Sequence, residues 1–414
     1  MPIRASVVRK VAITTLSLLG LATFATAQTE TVLYSFSNES TSGVSPVAGL
    51  AADSSGALYG TLTYGGPFGG GTVFKLTPPA SKEDPWTETT IHSFPDTWDD
   101  GTIPADFGHL IFDKEGNLYG TTGSGGETSY GTVFELTPAD GSWTETVLFT
   151  FNGTDGQTPQ TGLTSSGSDY YGTTANGGQY GAGVVFKLSP PTQAGGNWVE
   201  TVLYSFTGGT DGSDPVSTPV FHSGKLYGTT FAGGNDNQGV VYELSPPKKG
   251  SSAWIETVLH SFNGFNDGGN PMGGIILDKT GNVYGTAKLG GLDYGLVFEL
   301  LPPTWDETVL YNFTDGSDGE FPEAALIFDS KGNVYGTTTG SGNIGENQGS
   351  VFELTPPTAP GGPWTETTLH SFTGGSDGGT PEDGLLLRGG LLYGTTYEGE
   401  QGTTNAGVAF KLKP

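Results

Sequence analysis

The sequence predicts an all-β fold, a seven-bladed β-propeller with four antiparallel strands per blade and a last blade closed by the N-terminal strand. Three observations carry this. Four short β-like phrases recur in fixed order at a period of about 50 residues. No stretch after residue 27 sustains helical spacing. The repeat starts one phrase early, with a detached copy near the N-terminus.

The innermost strand is read from phrases such as Leu110-Ile111-Phe112-Asp113-Lys114-Glu115-Gly116-Asn117, a short apolar run entering a Gly/Asn turn. The second strand carries Tyr-Gly-Thr, with tyrosines at 59, 119, 171, 227, 284, 335 and 393. Glycine weakens a strand interior, so its recurrence implies a packing cause, such as room for the ring of Phe134 or Phe186. The third strand alternates, as in Val133-Phe134-Glu135-Leu136. The outermost reads Glu-Thr-Val-Leu-Tyr-Ser-Phe, ending at Phe94, Phe151, Phe206, Phe262, Phe313 and Phe372, with its early copy over Glu30 to Phe36.

A sheet of four strands buries neither face alone, so radial stacking is expected. The detached copy would complete the last blade and remove the exposed edges of an open stack. The expected blades cover about 45–94, 103–151, 158–206, 214–262, 270–313, 321–372, and 380–412 with 29–36, within one domain spanning 28–414.

Residues 1–27 differ from the rest. Arg4, Arg9 and Lys10 precede an apolar run from Val11 to Ala22, then Ala25-Thr26-Ala27, the pattern of a secretory signal peptide whose apolar part is short for a membrane span. The expected destination is secreted or extracellular, including a periplasm. Without cysteine, no disulfide staples the fold. Removal of the leader leaves 13 basic against 43 acidic residues, a net charge of −30, and Arg388 as the single arginine. Such a surface repels nucleic acid and anionic glycans. It also confers solubility, so charge alone names no ligand. No membrane span and a monomeric state are expected.

The units around Leu118-Tyr119-Gly120-Thr121-Thr122, Gly131-Thr132-Val133-Phe134-Glu135-Leu136-Thr137-Pro138 and Trp143-Thr144-Glu145-Thr146-Val147-Leu148 resemble the repeats of bacterial GloVer-containing proteins, the choice-of-anchor tandem repeat proteins. The resemblance spans nearly all of residues 29–412. It implies an exported repeat protein, often with a C-terminal surface anchor, and no catalytic residues to carry over. This sequence ends at Leu412-Lys413-Pro414 without such an anchor, which favours free secretion. Asp113-x-x-Gly116-Asn117, Asp278-x-x-Gly281-Asn282 and Asp329-x-x-Gly332-Asn333 are more weakly similar to NHL-type propellers, a likeness of fold only.

Before each innermost strand lies Asp-Gly-x-x-Pro, with Asp100, Asp155, Asp211, Asp267, Asp318 and Asp377, and Ser42 in the first repeat. These aspartates are candidate calcium ligands. Each loop would have to complete its own site of about 6–8 oxygens, and plain turn chemistry explains the same pattern. Loops between second and third strands are Gly-rich and should emerge at the same end. Their aromatics Tyr64, Phe68, Tyr130, Tyr180, Phe231, Tyr294 and Tyr397, with Trp98 in the neighbouring loop type, are candidate sugar-stacking residues, unless the rings fold back on their own loops.

His92, His260 and His370 replace an outer-strand tyrosine and are too far apart to share one metal. His109 and His222 lie on inner strands, where a channel carboxylate such as Asp106 or Asp383 would be needed for acid–base work. No catalytic residue is assigned and no cofactor beyond calcium is entertained. The expected function is extracellular binding or scaffolding, for a neutral glycan or a protein partner; the alternative is a propeller lyase or hydrolase acting at the channel mouth.

Overall fold

Strands of β-branched and aromatic residues, separated by Gly, Asn, Asp and Pro, pair in the order in which they are written. A computed structural model describes residues 30–37, 42–81, 84–95, 101–104, 108–193, 195–314, 316–340, 348–359, 361–399 and 406–414. These form seven antiparallel sheets, the blades of a β-propeller, with no helix among the described residues. In the third blade Thr164–Ser166, Asp169–Thr174, Val184–Ser189 and Val199–Ser205 run in sequence from the axis outward. The second blade gains an extra strand, Gly101–Pro104, beside the far end of Leu118–Gly125.

Closure follows the expected path. Thr31–Ser35 pairs antiparallel with Val408–Leu412, so both chain ends share one sheet with Leu391–Thr396 and Leu386–Arg388. Arg388 crosses the seam to the first blade, its Nη1 donating to the Asp53 carbonyl at 2.5 Å and its Nη2 to the Ser54 carbonyl at 3.3 Å. Leu33 and Phe36 are buried with Leu50, Leu58 and Phe74 of the first blade.

Tyr-Gly-Thr divides its labour among its three residues. The tyrosine hydroxyl sits among carboxylates at the end bearing the Asp-x-x-Gly-Asn turns, as Tyr119 does, its one proton placed to be donated to Glu135 at 2.7 Å, with Asp113 as the alternative acceptor at 3.1 Å. The glycine seats the third-strand ring of its own blade, since a Cβ at Gly120 or Gly172 would lie 2.6 Å from Cζ of Phe134 or Phe186. The threonine hydroxyl donates to a carbonyl of the next blade, from Thr121 to Thr161 at 2.7 Å and from Thr173 to Ser217 at 3.0 Å.

On the seated ring lies the terminal phenylalanine of the preceding blade's outermost strand. The pairs are Phe36–Phe74, Phe94–Phe134, Phe151–Phe186, Phe206–Tyr242, Phe262–Phe298, Phe313–Phe352 and Phe372–Phe410, with centroids 4.9–5.2 Å apart. Each such pair adds about 0.5–1.5 kcal/mol beyond the area it buries. The seam repeats at all seven junctions, including the one closed by Phe36.

Gly120→Ala and Gly172→Ala should each destabilise the protein by about 1–3 kcal/mol, because the added methyl displaces a ring that has no room to move. Gly340→Ala, where an added Cβ meets none of the described residues within 4 Å, should stay within about 0.5 kcal/mol. Denaturant midpoints of the three variants measure the contrast; equal losses at all three would refute the seat.

Candidate functional site

In an up-and-down blade the loops entering the first strand and those joining the second and third must share one end. Backbone bridges tie them together there, Gln157 to Asn176, Ser213 to Ala232, Gly269 to Leu289 and Gly379 to Glu398. The residue before each loop proline makes a second tie, between blades. Thr158 donates its N–H to the Tyr130 carbonyl of the previous blade at 2.9 Å, while its own carbonyl accepts from Ala175 at 3.1 Å. This requires a left-handed backbone at a non-glycine residue, with φ from 52° to 63° at Ser45, Ile103, Thr158, Asp214, Asn270, Phe321 and Thr380. Such conformations are costly for β-branched and bulky side chains, and the surrounding hydrogen bonds hold them.

The loop aspartates are turned toward their own loops. Asp318 accepts from Thr314 N at 2.9 Å, Thr314 Oγ1 at 2.7 Å, Gly316 N at 3.1 Å and Tyr311 Oη at 3.0 Å. Asp211 accepts in the same way from Thr207 and Tyr204, Asp377 from Thr373, and Asp155 from Asn152. Asp267 accepts from Asn263 N at 3.2 Å. Turn capping therefore occupies much of the oxygen inventory that calcium would need. Asp100 and Trp98 lie outside the described residues, as do Asp106 and the 1–27 segment.

The candidate loop aromatics divide into two groups. Tyr180 is 55% exposed, whereas Tyr130, Phe231, Tyr294 and Tyr397 are half-buried. Tyr130 folds back on its loop with Gly153 against its ring, and Tyr294 packs against the core of the fifth and sixth blades. The loop aromatics Tyr64 at 50% and Phe68 at 59% are exposed at the same end, together with Phe265 at 76% and Leu292 at 57%, which the loop pattern did not single out. The aromatic content of these loops was readable in sequence; which ring turns outward depends on loop packing.

The axis holds a cavity of about 490 Å³ lined by residues leading into each innermost strand, among them His109, Thr164, Thr218, Glu323 and Asp383. His222 is not among the lining residues; it pairs with Lys225 at the far end of its hairpin. The His109 imidazole is accessible from the lumen but walled by the ring, and that enclosure holds its pKa below the ordinary histidine value. Among the described residues none hydrogen-bonds to it. Asp383 accepts from the Gly49 N–H across the closure seam and from the Gly384 N–H at 2.5 Å, and burial pushes its pKa up to about 6. Its carboxylate clasps backbone, and no contact joins it to His109. Glu323 pairs with Lys288 at 2.5 Å.

A feature hidden from the sequence lies at several blade junctions, where an outer-strand glutamate approaches the loop aspartate preceding its own blade. Burial, and then the charge of that aspartate, push Glu30 and Glu256 up to about 7 beside Asp377 and Asp211, and Glu200 and Glu307 to about 8 beside Asp155 and Asp267. The partners lie about 40–45 residues apart in sequence, and at opposite ends of the chain for Glu30 and Asp377, so only the folded ring brings them together.

A family model described as the Gloeobacter/Verrucomicrobia repeat matches residues 21–220 and 166–410. No curated protein sequence matches the chain significantly. Among solved structures, a candidate 6-phosphogluconolactonase from Bacteroides uniformis is similar at 14% identity and a TM-score of 0.52, over 88% of this chain and 99% of its own. A chain of the mitotic checkpoint complex is similar at 12% identity and 0.55, over 100% and 99%. The extracellular domain of a candidate one-component system from B. thetaiotaomicron is similar at 10% and 0.52, over 93% of this chain and 40% of that one. These likenesses establish the propeller fold alone.

The glutamates set a pH dependence with a definite sign. An acid whose pKa is higher folded than unfolded keeps a proton that the unfolded chain has lost, so its stabilisation is full below the ordinary value of 4.5 and is lost as pH rises through about 8 for Glu200. The lowered pKa values of His260 and His370 oppose this at their own junctions, but Phe149 occupies the equivalent place beside Asp155. Glu200→Gln should therefore raise the melting temperature at pH 8 and leave it nearly unchanged at pH 5. An equal effect at both values would contradict the assignment.

Proposed function

The chain belongs to the Gloeobacter/Verrucomicrobia repeat family, and from that footing we propose that it is an exported binding or scaffolding module whose ligand, a neutral glycan or a protein partner, docks on the loop-bearing end of the propeller. The observation that carries this reading is the collection of outward-facing Tyr64, Phe68, Tyr180, Phe265 and Leu292 at one end. Aromatic faces supply contact area at low entropic cost and stack on the apolar faces of sugars. A net charge of −30 on the mature chain disfavours anionic partners. Export rests on the basic and apolar pattern of residues 1–27; no helix among the described residues is long and apolar enough to cross a membrane.

The enzymatic alternative has the axial cavity and His109 in its favour. Among the described residues no second group is poised to share a proton with that imidazole, because the Asp383 oxygens already receive backbone N–H groups. Binding requires fewer assumptions.

Screening the mature protein against a panel of neutral glycans should find a ligand, and Phe68→Ala with Tyr180→Ala and Phe265→Ala should weaken it by at least about tenfold while leaving thermal unfolding unchanged. Turnover of a glycan that disappears in His109→Ala would establish the alternative. Ligand binding indifferent to all three aromatic substitutions would remove the docking face assigned above.

A further inference from the structure

We propose that the junction between the fourth and fifth blades is a divalent transition-metal site formed by His260 Nε2, Asp267 and Glu307. His260 ends the outermost strand of the fourth blade, Asp267 lies on the loop into the fifth, and Glu307 is on the fifth blade's outermost strand. The three offer ligand atoms all within 4.8 Å of one another, the one such cluster among the described residues. Tetrahedral donors held about 2.0–2.2 Å from a common ion lie roughly 3.3–3.6 Å apart, so side-chain rotations that move the donors by about an ångström complete the set.

Unpartnered glutamate oxygens recur at Glu30, Glu200 and Glu256 and an unpartnered imidazole nitrogen at His370; the convergence of all three donors sets this junction apart among the described residues. Where tyrosine occupies the histidine position, its hydroxyl donates to the loop aspartate, Tyr204 to Asp211 at 2.9 Å and Tyr311 to Asp318 at 3.0 Å, and the polar group is satisfied. At His260 the approach to Asp267 Oδ2 is 3.5 Å, an ion-pair distance, and neither His260 Nε2 nor Glu307 Oε1 has a hydrogen-bond partner although both atoms are shielded from solvent. Buried orphans are costly unless something fills the gap between them. The other Asp267 oxygen is oriented by the Asn263 N–H, as outer-shell donors orient metal ligands.

The ligand set selects the ion. One imidazole nitrogen with two carboxylates suits zinc or manganese, whereas calcium takes only oxygen and more of it. The equivalent His370, Asp377 and Glu30 do not gather within the same distance, so among the described junctions only this one is expected to hold an ion. Bound there, it would join two blades in a chain that has no cysteine to do so.

The test is calorimetric titration of the chelator-treated mature protein with Zn²⁺, Mn²⁺ and Ca²⁺, beside its melting temperature with and without Zn²⁺. His260→Tyr installs the residue found at two sister junctions and so preserves the fold, Glu307→Gln removes a carboxylate, and His370→Tyr is the matched control. One Zn²⁺ per chain with an upward melting shift, weakened by at least about tenfold in the first two variants and kept in the third, is the expected result. Absence of saturable Zn²⁺ or Mn²⁺ binding, unaltered binding in His260→Tyr, or a preference for Ca²⁺ would overturn it.

Discussion

The contact on which the rest of this structure depends is an aromatic ring whose tip is seated against a glycine of its own blade and which is covered by a ring from the blade before it. No blade owns a complete core. Phe134 fills the space that Gly120 leaves, and Phe94 arrives from the previous sheet to cover it. A single blade would leave both faces of this arrangement wet, which is why the sheets stack and why the ring must close. The first blade's Phe74 is covered only because the segment ending at Phe36 returns to the last blade. Hydroxyls of Thr121 and Thr173 and the left-handed residues before the loop prolines stitch the same junctions with hydrogen bonds.

A seam that tolerates so little change leaves variation to the loops and the circumference. At the loop end, the exposed side chains differ from blade to blade, from Phe68 to Tyr180 to Phe265, while the backbone bridges beneath them repeat. At the circumference, one geometry carries two chemistries: Tyr311 closes its junction with a hydrogen bond to Asp318, while His260 leaves its junction polar and incomplete. Function on this scaffold is a matter of which residue stands at an otherwise fixed place.

Much of the fold was legible because its rules are periodic. The spacing of Tyr-Gly-Thr, the alternation in Val-Phe-Glu-Leu and the stray phrase at Glu30 to Phe36 predict blade number, strand order and closure, and the glycine seat for Phe134 and Phe186 follows from the cost of glycine in a strand. The site was less legible. Whether Tyr130 folds inward and Tyr180 outward is decided by contacts with Gly153 and its loop, which no local pattern encodes. The approach of Glu307 to Asp267 joins different segments across a blade boundary, and the positive φ of Thr158 contradicts the ordinary preference of a residue before proline.

The central claim, that seven aromatic seams form a closed ring completed by the N-terminal strand, is tested most directly by native-state hydrogen exchange of Thr31–Ser35. A closed ring predicts that the bonded amides of this strand exchange only with global unfolding, at the same free energy as those of its partner Val408–Leu412. Exchange of Thr31–Ser35 well ahead of Val408–Leu412 would mean that the strand detaches while the propeller remains folded, and would contradict the account.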